Sequence, residues 1–155
     1  MSVQIRDTIS PALARALAHV SNPVPVLEAM GLQLVSITKR AFNEAELRAT
    51  PWAPLKAATL REKIKHGKSE AILKRETVLI KSIHVTGTSS DHVTVGCDPV
   101  YAAIQQLGSA KASGRGSGIP PRPFFPFSAE GKMTAIAEDK IKRMAMAKLE
   151  ILLGK

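Results

Sequence analysis

Apolar residues recur at helical spacing in three long stretches of the chain and alternate in one. Ile5, Ile9, Leu13, Ala16, Leu17 and Val20 fall three and four apart. Because proline is tolerated in a first turn, where its missing amide costs little, Pro11 predicts a helix that begins near Ser10. Ser21-Asn22-Pro23-Val24-Pro25 is a cluster of breakers. From Val26 onward, Leu27, Met30, Leu34, Ile37 and Ala41 define a second helix running to about Ala45. Lys39 and Arg40 sit in its later turns, where cations suit the negative end of the helix dipole. The third, from Glu130 to Leu153, carries Met133, Ala137, Ile141, Met144, Ala145, Leu149 and Leu152 on one side, with Ser128 placed to cap it.

The alternating stretch is Ile83, Val85, then Val93, Val95, Cys97, interleaved with His84, Thr86, His92 and Thr94 and interrupted by Gly87-Thr88-Ser89-Ser90-Asp91. This is the pattern of a β-hairpin. If both apolar sets face one core, Val85 lies opposite Val93 or Val95, which makes the loop odd, with three or five residues. Either register turns Cys97 inward. Between these elements, Thr50-Pro51-Trp52-Ala53-Pro54-Leu55 is excluded from regular helix by its two prolines and reads as a structured loop. Thr59 to Lys65 suits a short basic helix, ended by His66-Gly67-Lys68-Ser69. Ala71 to Leu73 and Val78 to Ile80 are apolar patches whose state the pattern leaves open. Tyr101 to Leu107 is a short amphipathic run closed by Gly108, and 109–118 reads as a mobile loop carrying Lys111 and Arg115 and no acid. Ile119-Pro120-Pro121-Arg122-Pro123-Phe124-Phe125-Pro126-Phe127 must be extended, and its prolines allow only an edge strand near 120–125 or an irregular segment. The expected architecture is α+β, a small antiparallel sheet packed with several helices, in one domain over 1–155.

Composition narrows the picture. The 155 residues, 45% hydrophobic and 23% charged, suit one globular domain burying roughly two-thirds of its unfolded surface. No apolar run approaches the roughly 20 residues of a membrane span, and the N-terminus lacks a secretory pattern, so a cytosolic protein with no membrane partner is expected. A single cysteine, Cys97, excludes a disulfide framework or thiolate zinc cage. The formal charge of +9 calls for an acidic partner, while an aromatic content of 4% argues against modules that stack single-stranded bases.

Catalytic groups are scarce. A thiol dyad of Cys97 with His84 or His92 conflicts with the alternation, which points cysteine and histidines to opposite faces. The two histidines share a face, but the local sequence offers no third or fourth metal ligand. Gly114-Arg115-Gly116-Ser117-Gly118 has neither the spacing nor the strand and helix of a phosphate-binding loop. No cofactor is indicated. From Lys56 to Lys81, eight cations stand against three anions. The run, which includes Arg61, Lys63, Lys65 and Lys68, is either a solvated face or a patch for DNA or an acidic protein. Trp52, with Leu55, reads as a pin fastening its loop to the core; for Phe124, Phe125 and Phe127 a core role and an interface role both stay open.

Four features occur in a recognisable order: Trp52-Ala53-Pro54-Leu55 followed by Thr59 and Lys63; Ile72-Leu73 leading through Leu79 to Ser82-Ile83; Val93-Thr94-Val95-Gly96 followed by Tyr101-Ala102-Ala103-Ile104-Gln105-Gln106-Leu107-Gly108; and Ile119-Pro120-Pro121-Arg122-Pro123-Phe124. Together they resemble the phage virion morphogenesis family, or phage tail completion proteins, over most of the chain. The chain departs from that family's pattern at Gln105-Gln106, where a His-like residue often precedes Leu-Gly, and at Thr77-Val78, where a glycine is customary. The resemblance implies a structural protein without catalysis, an α+β subunit of a ring, commonly a hexamer, at the head-proximal end of a phage tail. Its implied partners are copies of itself, other tail or neck proteins, and DNA in the lumen. It would be made in the bacterial host cytoplasm and carried into the virion. On that basis Arg122, Phe124, Phe125, Phe127 and Tyr101 are the expected interface for self-association or docking, and Lys111 and Arg115 would face DNA or an acidic neighbour. Two competing functions are a basic nucleic-acid-binding protein using the Lys56 to Lys81 patch and a small hydrolase using Cys97.

Overall fold

The computed structural model describes residues 2–3, 22–109, 118–128 and 130–153. The helix expected from Ser10, and Lys111 and Arg115 of the loop expected at 109–118, lie outside the described residues. Ser2–Val3 forms β1, Val24–Arg40 α1, Ala57–Lys65 α2, Val78–Lys81 α3, His84–Thr88 β2, Val93–Gly96 β3, Ala102–Leu107 α4 and Ala135–Leu152 α5, with a single 3-10 turn at Ala45–Leu47. The fold is α+β. Its antiparallel sheet has the order β1-β3-β2.

The hairpin pairs Val85 with Val95, one of the two registers the alternation allows. The odd loop does not occur, because a bulge at Thr86 shifts the register so that Gly87 faces Thr94 and Thr88 faces Val93, leaving four residues in the loop. The edge strand expected near 120–125 is also absent. The second neighbour of β3 is β1, through Ser2↔Gly96 and Val3↔Val95, whereas the four prolines between 120 and 126 leave that segment few amides to offer a ladder.

The helix α1 lies across the sheet and against α5. Its approach to the sheet is close: a Cβ on Gly31 would stand 2.5 Å from Val93 Cγ2. The predicted end near Ala45 comes earlier, at Arg40. The Arg48 side chain reaches back to donate from Nε to the Ala41 carbonyl at 2.7 Å, stopping the helix with a cation. Helix α5 also starts later than expected. Thr134, not Ser128, is its N-cap, accepting from the Ala137 amide at 3.3 Å, because Phe127 and Met133 first pair in an antiparallel bridge. Its buried stripe is narrow, Ala137, Ile141, Ala145 and Leu149, and Met144 and Leu152 are exposed. The core between α1, α5 and the sheet includes Leu34, Ile37, Leu79, Ile83, Val95 and Cys97.

Candidate functional site

The proline-rich segments carry the sequence's most specific motifs, and the fold clasps them together. Trp52 Nε1 donates to the Pro123 carbonyl at 2.7 Å, and the Arg48 guanidinium stacks 3.9 Å from the Trp52 ring centroid. From the other segment, Arg122 donates through Nε to the Ala53 carbonyl at 2.9 Å and through Nη2 to the Pro54 carbonyl at 3.2 Å. The amides of Phe124 and Phe125, without a strand partner, both donate to Gln106 Oε1, at 2.9 and 3.0 Å. Phe42 meets the Trp52 ring edge-on, with centroids 5.6 Å apart, and lies 5.9 Å from Phe124. Trp52 is thus a buried core pin. Arg122, Phe124, Phe125 and Phe127, expected at an interface, are all buried within the protomer, with the Trp52 loop holding Arg122 and Gln106 of α4 holding the amides of Phe124 and Phe125.

One side of this clasp opens into a cleft of about 520 Å³, whose charged lining is Lys63, Arg75, Glu76 and Arg122, with Leu55, Thr59, Leu73, Tyr101 and Gln105 among its other walls. Leu55, Thr59 and Lys63 are spaced by four, so the start of α2 and the loop before it present one face to the cleft. The opposite wall is 73–79, where Leu73 and Thr77 adopt φ of 59° and 57°. A β-branched threonine in the left-handed region is strained by about 1–3 kcal/mol, and such strain collects at functional sites. Lys63, expected on an exposed basic patch, is only 5% exposed and donates from Nζ to the Ala71 carbonyl at 2.7 Å. Burial first, and then the Arg75 and Arg122 charges, pull its pKa below the usual lysine value. Burial likewise lowers Arg122. Gln105 Oε1 is buried without a hydrogen-bond partner.

The rest of the Lys56 to Lys81 run is broken up. Lys68 pairs with Glu76 at 3.1 Å, Arg75 grips Glu62 at 2.9 Å, and Lys74 donates to Asn43. Arg61 and Lys65 are exposed. Tyr101 is the member of the expected interface that reaches the surface, at 43% exposure. Within the amphipathic run read from the sequence, it belongs to an exposed apolar surface made by Val100, 93% exposed, just before α4, and by Ile104 and Leu107, 63% exposed, on α4. A second set of exposed apolar residues, Ile136, Met144 and Ile151, lies along the outside of α5, interspersed with Lys140 and Arg143.

Cys97 is buried, and desolvation holds its thiol pKa above the ordinary value. His84 and His92 are exposed, the first with Nδ1 near the Ser82 carbonyl at 2.7 Å and the second paired with Asp91 at 2.7 Å. Among the described residues no group of three or more His, Cys, Asp or Glu could hold a metal ion, and no helix is long and apolar enough to cross a membrane.

The sequence model of the phage virion morphogenesis family matches residues 5–144. No curated protein and no solved structure matches the chain.

Proposed function

Because the chain belongs to the phage virion morphogenesis family and so has a structural and assembly role in a phage, we propose that it completes the tail or joins tail to head, acting by self-association into a ring. The family match over 5–144 carries this reading. Its physical support is the pair of exposed apolar stripes on different elements. A ring closes through heterologous contacts, in which one surface of a subunit meets a different surface of the next. The α4 stripe of Val100, Tyr101, Ile104 and Leu107 and the α5 stripe of Ile136, Met144 and Ile151 are two such surfaces on one chain. The first is uncharged and the second is interspersed with Lys140 and Arg143, so they differ in character as a heterologous pair does. The α4 stripe takes the place of the phenylalanines as the docking surface, with Tyr101 common to both.

The assembled subunit works without chemistry, in the host cytoplasm and then in the virion, against tail and neck proteins. A charge of +9, with Arg61 and Lys65 exposed, suits a wall facing DNA in a lumen. Complementation of a prophage lacking this gene tests the reading. Leu107→Glu places a charge at the C-terminal end of the α4 stripe, on an exposed residue, without touching the core. It should leave the protein folded and cut infectious particles by at least about tenfold, as loss of a few kcal/mol at a contact does. Normal particle yield from this variant would refute the role of α4.

A further inference from the structure

The cleft between α2 and the 73–79 wall holds two buried cations that have no direct carboxylate partner, and the acid in its lining, Glu76, pairs with Lys68 instead. Lys63 and Arg122 are 5% and 8% exposed, and neither forms an ion pair among the described residues. Their donors end on the carbonyls of Ala71, Ala53 and Pro54, which satisfy hydrogen bonds without neutralising charge. The acidic groups at hand are engaged: Glu62 by Arg75 and Glu76 by Lys68. Gln105, in the same lining, keeps a buried carbonyl oxygen that needs a donor. Leu55, Leu73 and Leu79 give the wall an apolar share, and Arg75 and Glu76, paired with Glu62 and Lys68, also line it. The site therefore asks for an anion and an N–H donor on one ligand with an apolar flank.

We propose that this cleft receives an acidic peptide segment of a partner protein, whose Glu or Asp carboxylate sits by Lys63 and Arg122 while a backbone N–H meets Gln105 Oε1. A peptide supplies both chemistries within a few atoms, whereas a duplex phosphate offers acceptors only and cannot descend to side chains buried this deeply. A second copy of the chain, with 22 Lys and Arg against 13 Asp and Glu, is a poor source of acidic segments, so the charge complement lies on a different protein. The inference rests on the cleft and holds whether or not copies of the chain close into a ring.

Fluorescence polarisation with the full chain tests it. The probes are a short fluorescein-labelled peptide of alternating leucine and glutamate, its glutamine counterpart, and a labelled DNA duplex. The glutamate peptide should bind at least about tenfold tighter than the glutamine one, the difference one charge-assisted hydrogen bond makes. Lys63→Met should remove that preference and Gln105→Leu should weaken binding severalfold. Arg61→Ala with Lys65→Ala, on the exposed surface, should keep the preference. Circular dichroism melting confirms that each variant is folded, and Gln105→Leu, which breaks no hydrogen bond of Oε1, serves if Lys63→Met is not. Equal binding of the two peptides, no peptide binding, full affinity in a folded cleft variant, or displacement of the peptide by the duplex would overturn the proposal.

Discussion

Adjacent glutamines in α4 should respond oppositely to the same substitution. Gln106 Oε1 accepts from the amides of Phe124 and Phe125 at 2.9 and 3.0 Å, both in the buried core. Gln106→Leu removes that acceptor and leaves two buried donors unpaired, each costing about 1–3 kcal/mol. With partial relaxation the loss is about 2–5 kcal/mol, a large fraction of the roughly 5–15 kcal/mol that holds a domain folded. Gln105 Oε1 is also buried but has no partner. Gln105→Leu therefore breaks no bond there and should change stability by less than about 1 kcal/mol, or raise it, since an orphaned polar atom is replaced by an apolar one. Urea unfolding followed through Trp52 fluorescence and far-ultraviolet circular dichroism measures both. The denaturant slope should be unchanged and the Gln106→Leu midpoint clearly lower. A Gln106→Leu loss below about 0.5 kcal/mol, or one equal to that of Gln105→Leu, would refute the argument that Gln106 replaces a missing strand for the phenylalanine segment.

Gly31→Ala should destabilise by about 1 kcal/mol, since the added methyl meets Val93 Cγ2 at 2.5 Å; with Val93→Ala as background that clash is gone, Val85 Cγ2 at 3.1 Å remains, and the cost should shrink, a coupling that a double-mutant cycle in urea detects. Cys97 in the native protein should alkylate with iodoacetamide at least about tenfold more slowly than after denaturation, read by intact mass, because burial raises its thiol pKa and blocks access. Glu44 is held below the ordinary carboxylate value, first by its hydrogen bond to Arg40, and Asp91 by Ser89 and His92. A lowered folded pKa gives stability that is present above the unfolded value and lost as pH falls through the folded one. The melting temperature should drop through that acid range, less steeply in Glu44→Gln, and high salt should shrink the difference.

Periodicity was enough for α1, α5 and the hairpin because each has a buried face that repeats at its own period. Their ends depended on contacts from just outside each helix. Arg48 stops α1 from beyond its end, and the pairing of Phe127 with Met133 delays α5. The bulge at Thr86 has no signature beyond the neighbouring Gly87, so a parity argument that assumes a regular ladder gives the wrong loop. The site was visible mainly as spacing. Leu55, Thr59 and Lys63 stand four apart within the motif that carries the family resemblance, and all three line the cleft. That Lys63 is buried while Ile64 beside it is exposed contradicts hydropathy, and only the 71–79 wall explains it. The phenylalanines were ambiguous because an extended segment can be covered only by elements distant in sequence, here Gln106 on α4 and the Trp52 loop. The amphipathic run Tyr101 to Leu107 was visible, but that its apolar face points outward was not, because an exposed and a buried apolar face look alike until the packing is known.

Self-association through α4 is the claim on which the functional account turns, and solution mass measures it. Light scattering over a concentration series, with and without duplex DNA, should give a discrete multiple of the 16.6 kDa protomer that is independent of DNA and falls to the protomer mass in Leu107→Glu. A protomer mass at every concentration, or a mass that rises only when DNA is added and falls again with salt, would contradict it.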